Sequence, residues 1–450
     1  MLYRKIETAI YKHFMSKSDK ILMLTGARQT GKSFIINYIA SKIFRNVVEI
    51  NLIEDYDGNR LFESVSSLEE FHLRLSSIAG DRLGTKEETL VFLDEIQQYP
   101  QLLTLLKFLR QEGRYTYAVS GSLLGLTLKH TTSIPVGSLA LMHMYPLDFE
   151  EFLIANNVNK EAIERIRLYF DERKSLDEAM HNHIMSLFKR YLLIGGMPQA
   201  VQDFVNSRNL VTVRAIQSDI HRLYKADASK YDMEHRLHIE RIYEMIPSAM
   251  ESHKKRVIYR EIENKPKGRH SDYVEEFDFL SASGVALEVK AISNPSFPLL
   301  ESGVKNLLKL YLNDVGILTG ILYHNNIKPV LDSECSVNLG SVYETVVAME
   351  LASHGNKLFY YDNKKNGEVD FLIDDYYNLS AMAIEVKSGK DYTVHSALSK
   401  LLENKDYRIK EGFVFSNSRE VRQKGNISYL PIYYVMFLDE KGCRETEIIL

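Results

Sequence analysis

The stretch "LTGARQTGKSFIINYIA" (Leu24–Ala40) carries G-x-x-x-x-G-K-S over Gly26, Ala27, Arg28, Gln29, Thr30, Gly31, Lys32 and Ser33. An apolar run, "ILMLTG" (Ile21–Gly26), precedes it and an amphipathic segment follows, the strand–loop–helix setting in which this octapeptide has a mechanism. Its glycines let the backbone fold around phosphate oxygens. Successive N–H groups and the N-terminus of the following helix stabilise the anion. Lys32 is expected to reach the β- and γ-phosphates, and Ser33 to ligate Mg²⁺. The expected ligands are therefore ATP and Mg²⁺.

Such a site needs an acidic partner closing an apolar strand, and "LVFLDEIQ" (Leu90–Gln97) supplies one some 60 residues later. Asp94 is expected to hold Mg²⁺, directly or through water, and Glu95 to orient or deprotonate the attacking water. "YTYAVSGS" (Tyr115–Ser122) then sets Ser120 and Ser122 at a strand end, where a hydroxyl can sense the γ-phosphate. With "NVVEINL" (Asn46–Leu52), these continuous apolar runs suit a parallel sheet covered on both faces by crossover helices. "LMHMYPL" (Leu141–Leu147) is a candidate fifth strand.

At 450 residues, two to three domains are expected. Hydrophobic residues at 45% and charged ones at 26% describe an ordinary globular chain. The net charge of −4 argues against wholesale adhesion to nucleic acid or anionic membrane and leaves room for a local basic face. Two cysteines, Cys335 and Cys443, exclude a disulfide framework and fit a reducing compartment. The N-terminus lacks a signal-peptide apolar region, and no run reaches the ~18 apolar residues of a membrane span. A soluble, cytoplasmic protein without membrane partners is expected.

Beyond Asp148 the pattern turns helical: "DFEEFLIANN" has an acidic first turn, and "LFKRYLLIGGMPQAV" (Leu187–Val201) ends a helix at Gly195-Gly196 before Pro198. "ESHKKRVIYREIENKPKGRH" (Glu251–His270) carries seven basic against three acidic side chains, a candidate backbone-contacting patch or a solvated loop. A boundary is placed near residue 335, giving a P-loop core over 1–150, a helical and winged-helix-like region over 151–330, and a C-terminal domain over 335–450.

Within the last, "GEVDFLIDDYYNLSAMAIEVKSGK" (Gly367–Lys390) reads as a hairpin. Alternation sets Asp370 opposite the Val369/Phe371 face, and Glu385 and Lys387 opposite the Ile384/Val386 face. If the apolar faces align, Asp370, Glu385 and Lys387 converge. Two carboxylates can then hold Mg²⁺ or Mn²⁺ beside a lysine that positions water or offsets phosphate charge. Glu344, on the preceding helix, is a third candidate carboxylate. "EFDFLSASGVALEVKAI" (Glu276–Ile292) repeats the pattern with Asp278, Glu288 and Lys290, and is read as the wing of the winged-helix module. "HNH" (His181–His183) lies in a helical stretch without supporting ligands and is set aside.

The phosphate-site residues resemble an AAA-type ATPase of the prokaryotic branch that includes STAND-like NTPases. "MYPLDFEEFL" and "YLLIGGMPQAV" are similar to segments that follow the sensor strand in one widespread family there. The Glu…Asp…Glu-x-Lys order resembles the PD-(D/E)XK nuclease superfamily. The resemblance covers essentially the whole chain. It implies an α/β fold: a P-loop NTPase parallel sheet, a helical and winged-helix middle, and a C-terminal α/β restriction-endonuclease-like domain. Many relatives carry glycine–arginine where this chain has Gly137-Ser138, so no arginine finger is assigned. Arg28, Arg110, Arg114 and Arg190 are the candidates, with hydrolysis slow or dependent on an oligomeric neighbour.

The leading expectation is an ATPase switch or loader with a nuclease-like half that acts on or binds DNA. The alternative keeps the ATPase and makes the C-terminus a non-catalytic module for a protein partner, in a regulatory or signalling role.

Overall fold

A computed structural model describes residues 1–16, 18–122, 136–227, 233–252, 254–263, 268–331, 339–389 and 393–438. Cys335, Cys443, Lys265, Lys267 and the boundary expected near residue 335 fall outside them. The chain divides into two compact units, Tyr3–Tyr145 with Ser281–Val285, and Pro146–Leu280 with Ala286–Leu450.

The first unit is built on five strands: β1 (Ile21–Thr25), β2 (Asn46–Asn51), β3 (Thr89–Asp94), β4 (Thr116–Gly121) and β5 (Leu139–His143). They pair in the order β2-β3-β4-β1-β5, all parallel. The fifth strand starts two residues before the expected run and ends short of Pro146, which has no amide hydrogen to give a ladder. Alternate side chains feed two cores. Met23, Ile50, Val91, Leu93 and Val119 pack with the helices Leu68–Ala79 and Pro100–Glu112. Leu22, Leu24, Leu90, Phe92 and Ala118 pack with the helices Ile6–Met15 and Lys32–Ile43. Burying Ile35, Ile36 and Ile39 of the latter contributes about 1.5–3 kcal/mol each and fixes the helix that follows the phosphate loop. The loop thus sits at the carboxyl ends of the strands, where open parallel sheets hold ligands.

The second unit opens with helices from Phe149–Ala155 to Met233–Glu251. Asp148 starts the first as a capping box with Glu151. At the end of the helix Glu178–Ile194, Gly196 lies so close to Leu147 that an added Cβ would sit 2.0 Å from the Leu147 carbonyl oxygen. Its N–H donates to Asp314 Oδ2 at 2.6 Å, and Asp314 Oδ1 accepts from the Ile317 N–H to cap the helix Val315–Tyr323. Burial pushes the Asp314 carboxyl up to about 6. The glycine pair read as a helix stop is therefore also a packing point for two distant segments.

Eight strands complete this unit: β6 (Ala286–Ile292), β7 (Val304–Leu312), β8 (Phe359–Asn363), β9 (Gly367–Asp375), β10 (Ser380–Lys387), β11 (Ile409–Ser416), β12 (Arg422–Lys424) and β13 (Ile427–Pro431). They form one sheet in the order β12-β13-β11-β10-β9-β8-β6-β7. This corrects the expected wing. β6 and β7 pair antiparallel, as wing strands do, but β6 also runs parallel to β8 through Lys290–Ile292 and Phe359–Tyr361. The sheet therefore runs across the expected boundary at residue 335. Alternating apolar residues announce a strand but carry no mark of its partner strand.

Candidate functional site

Gly26 holds φ +139°, and an added Cβ there would lie 2.2 Å from the Met144 carbonyl oxygen, so the loop needs glycine at this point. Gly31 caps the helix Lys32–Ile43. Lys32 Nζ donates to the carbonyls of Gly26 at 3.0 Å and Ala27 at 2.8 Å, which holds the ammonium against the inner wall of the loop. The buried Thr30 hydroxyl also donates to Ala27 O. Ser33 Oγ donates to Asp94 Oδ2 at 2.6 Å. The Ser120 hydroxyl and the Glu95 N–H reach the other oxygen of the same carboxylate. One hydroxyl and one carboxylate, adjacent and oxygen-only, fit a small hard cation such as Mg²⁺.

Glu95 follows in a left-handed conformation, φ +56°, which for a non-glycine residue costs of order 1–3 kcal/mol. Its carboxylate accepts from the Gln97 amide and from Ser122 Oγ at 3.3 Å. The strained turn swings the Glu95 side chain out of the strand line, beside but distinct from the Asp94 carboxylate.

Two residues of this site carry no motif. Buried Arg4 donates through Nη1 to Thr30 O at 3.0 Å and through Nη2 to Tyr145 O at 2.5 Å, clamping the loop to the segment after β5. His143, paired with Thr25 at the end of β5, contacts Thr25 Oγ1 through Nδ1 at 3.0 Å. Desolvation beside the loop and the nearby Lys32 charge push its pKa down. A strand-order assignment would have brought His143 to the site, whereas Arg4 lies on no strand and nothing local marks it.

Of the arginine-finger candidates, Arg110 is held by Asp19 at 2.8 Å and Ser138 Oγ at 3.0 Å. Arg114 lies over the Tyr115 ring, Arg28 is half-buried in the loop, and Arg190 is exposed.

The second cluster forms on β9, β10 and the helix Gly340–Ser353. The β9–β10 register pairs Phe371 with Ile384, which sets Asp370 across from Glu385 as the alternation requires. Asp370 Oδ2 accepts from the Val386 N–H at 2.8 Å, and Lys387 Nζ donates to Glu385 Oε1 at 2.6 Å. Glu385 Oε2 is buried and has no hydrogen-bond partner among the described residues. Burial and the Asp370 charge push the Glu385 carboxyl up to about 8, against the pull of Lys387. Glu344, 2% exposed, is also raised by burial and by Asp370. Both its oxygens are engaged, one by Lys255 and the other by Tyr311 Oη at 2.9 Å. Lys309 and Arg256 meet Glu368 next door, and Arg256 also meets Asp362.

Sequence reasoning missed Lys255, Tyr311 and Lys309, because they come from the stretch assigned to another module. Lys255 and Arg256 also correct the basic-patch expectation: two of its seven cations turn inward to carboxylates. Asp278 lies on the helix Val274–Ala282 and not on a strand paired with the one that carries Glu288 and Lys290, so the earlier copy does not repeat the Asp370–Glu385 arrangement. His181 is buried against Tyr433 Oη at 3.1 Å, a packing role. Among the described residues, three ligand atoms fall within 4.8 Å of one another only at Asp148, Glu350 and His354. There Asp148 caps Glu151 N–H and Glu350 accepts from Phe149 N–H. No described helix is long and apolar enough to cross a membrane.

Three family models match the chain: an AAA domain over residues 18–153, and the domains of unknown function DUF8612 over 185–327 and DUF4143 over 339–435. No curated protein matches. Among solved structures, a Walker-type ATPase of Pyrococcus abyssi is 13% identical with a TM-score of 0.42, over 71% of this chain and 95% of that one. The S. cerevisiae Hsp104–ADP complex is 12% identical with a TM-score of 0.29, over 79% of this chain and 42% of that one. The Pif1 helicase from Candida albicans is 14% identical with a TM-score of 0.22, over 37% and 47%. The AAA match spans both halves of the phosphate site. With the parallel sheet, it supports an AAA-type P-loop ATPase that binds and hydrolyses ATP.

Proposed function

We propose that the chain is an ATP-driven switch whose second unit engages DNA through the Asp370–Glu385–Lys387 cluster and cuts it in a metal-dependent reaction. In the first unit, Lys32 and the loop amides bind the phosphates, Ser33 and Asp94 hold Mg²⁺, and Ser120 steadies Asp94. Glu95 takes the proton of the attacking water. When bound, Mg²⁺ would supply charge neutralisation on the phosphates.

For the second unit, the carrying observation is the register that sets Asp370 opposite Glu385 with a buried, unpartnered Glu385 Oε2. A buried carboxylate oxygen without a donor fits a cation. Mg²⁺ or Mn²⁺ there would polarise a phosphoryl oxygen. Asp370 and Glu385 would be its ligands, Lys387 would face the developing phosphate charge, and Glu344 would reinforce the negative field. One observation favours a second reading, a non-catalytic module for a protein partner: Glu344 is already satisfied by Lys255 and Tyr311.

A cleavage assay over single- and double-stranded DNA and RNA, with Mg²⁺ or Mn²⁺ and with or without ATP, separates the two. Metal-dependent cutting of DNA, lost in Glu385→Ala, is the expected result. If no substrate is cut with either ion and Asp370→Ala leaves DNA binding unchanged, the interaction-module reading replaces this one.

A further inference from the structure

One further feature, in the helical region, uses no residue of either cluster. Arg214, on the helix Leu210–Asp227, is 9% exposed. Its Nη1 is crowded with acceptors: Gln217 Oε1 at 2.7 Å, the Leu193 and Gly316 carbonyls at 3.1 Å each, and Thr319 Oγ1 at 3.2 Å. Gln217 Nε2 adds bonds to the carbonyls of Leu193 and Ile194, so the pair closes the C-terminal end of the helix Glu178–Ile194. Gly316 and Gly320 leave the room this needs: an added Cβ would fall 2.4 Å from Gln217 Nε2 and 3.3 Å from Arg214 Nη1, respectively.

The other edge of the guanidinium is different. Nε and Nη2 are buried and have no partner among the described residues. That edge is the fork that binds a carboxylate or phosphate through two parallel bonds. Arg214 lines a cavity of about 460 Å³, together with Ser218, His221, His324 and Asn325. No carboxylate lines it among the described residues. Asp314, the acid whose charge acts on Arg214, gives its oxygens to the Gly196 and Ile317 amides. A buried cation with two idle donors, beside a cavity furnished with hydroxyl, amide and imidazole groups, lacks only its anion.

We propose that this cavity binds a small anion bearing a carboxylate or phosphate, held on the Nε/Nη2 edge of Arg214. The test uses the full chain carrying Lys32→Ala, so that the phosphate loop does not contribute. Inorganic phosphate and succinate are titrated separately by isothermal calorimetry, which distinguishes the two anion classes. Saturable binding of one of them is expected, weakened at least about tenfold by Arg214→Gln. Because Arg214 is buried, Ser218→Trp serves as a second variant: Ser218 is exposed and lines the cavity, so an indole there would occupy it. Loss of binding in Ser218→Trp supports the site even if Arg214→Gln does not fold. Binding of neither anion, or binding that survives Ser218→Trp, overturns it.

Discussion

Ser33 Oγ and Asp94 Oδ2, 61 residues apart in sequence, lie 2.6 Å from each other at the carboxyl end of the first sheet. The pair joins the first turn of the helix after the phosphate loop to the end of β3.

Ser33→Ala and Asp94→Asn should therefore act on the metal rather than on the nucleotide alone. Nucleotide affinity in EDTA should stay near that of the unsubstituted chain, while the gain on adding Mg²⁺ disappears and turnover falls at least about 10²-fold. Fluorescent-nucleotide titrations with and without Mg²⁺ measure this. An unchanged Mg²⁺ dependence in both variants would remove the pair from the metal site.

Arg4 predicts an effect that no motif would suggest. Its guanidinium ties Thr30 O to Tyr145 O, and hydrogen bonds from a charged donor contribute about 1.5–3 kcal/mol. Arg4→Ala should weaken ATP binding about tenfold or more. Arg4→Lys, which has no fork to span both carbonyls, should recover little of it. Equal affinity in Arg4→Lys and the unsubstituted chain would mean that only the charge matters.

Gly196→Ala should destabilise the second unit by more than about 2 kcal/mol, since its Cβ would collide with the Leu147 carbonyl. Gly137→Ala is the control, with nothing within 4 Å of its Cβ among the described residues. Denaturation midpoints of the two variants should differ in that order.

What the sequence made legible follows from how local each signal is. The phosphate loop, Asp94 and Glu95 are continuous strings next to apolar runs, so residue spacing alone marks them. The convergence of Asp370, Glu385 and Lys387 was also readable, because a hairpin's register follows from its own alternation. Lys255, Tyr311 and Arg4 were not. Each reaches its partner across 26 to 141 residues, and nothing local encodes that distance. The misread wing has the same cause: β6 and β7 form a good local hairpin whose larger sheet is set by β8.

The raised Glu385 carboxyl gives a pH prediction. Its ordinary value is 4.5 and burial beside Asp370 lifts it to about 8. The fold thus favours the protonated form, and the stability this contributes is complete below 4.5 and lost as pH rises through 8. A divalent ion must displace that proton. Mn²⁺ affinity at this cluster should climb up to about tenfold per pH unit from 6 towards 8 and then level off. Glu385→Gln should abolish the slope. A flat profile in the unsubstituted chain would show that Glu385 is no ligand.

Phosphate release from Mg²⁺·ATP by Glu95→Gln tests the central claim most directly. The account predicts retained ATP binding with turnover lowered by about 10²-fold or more, the scale of a lost general base. Turnover at the unsubstituted rate would contradict the assignment of this site as the place where ATP is hydrolysed.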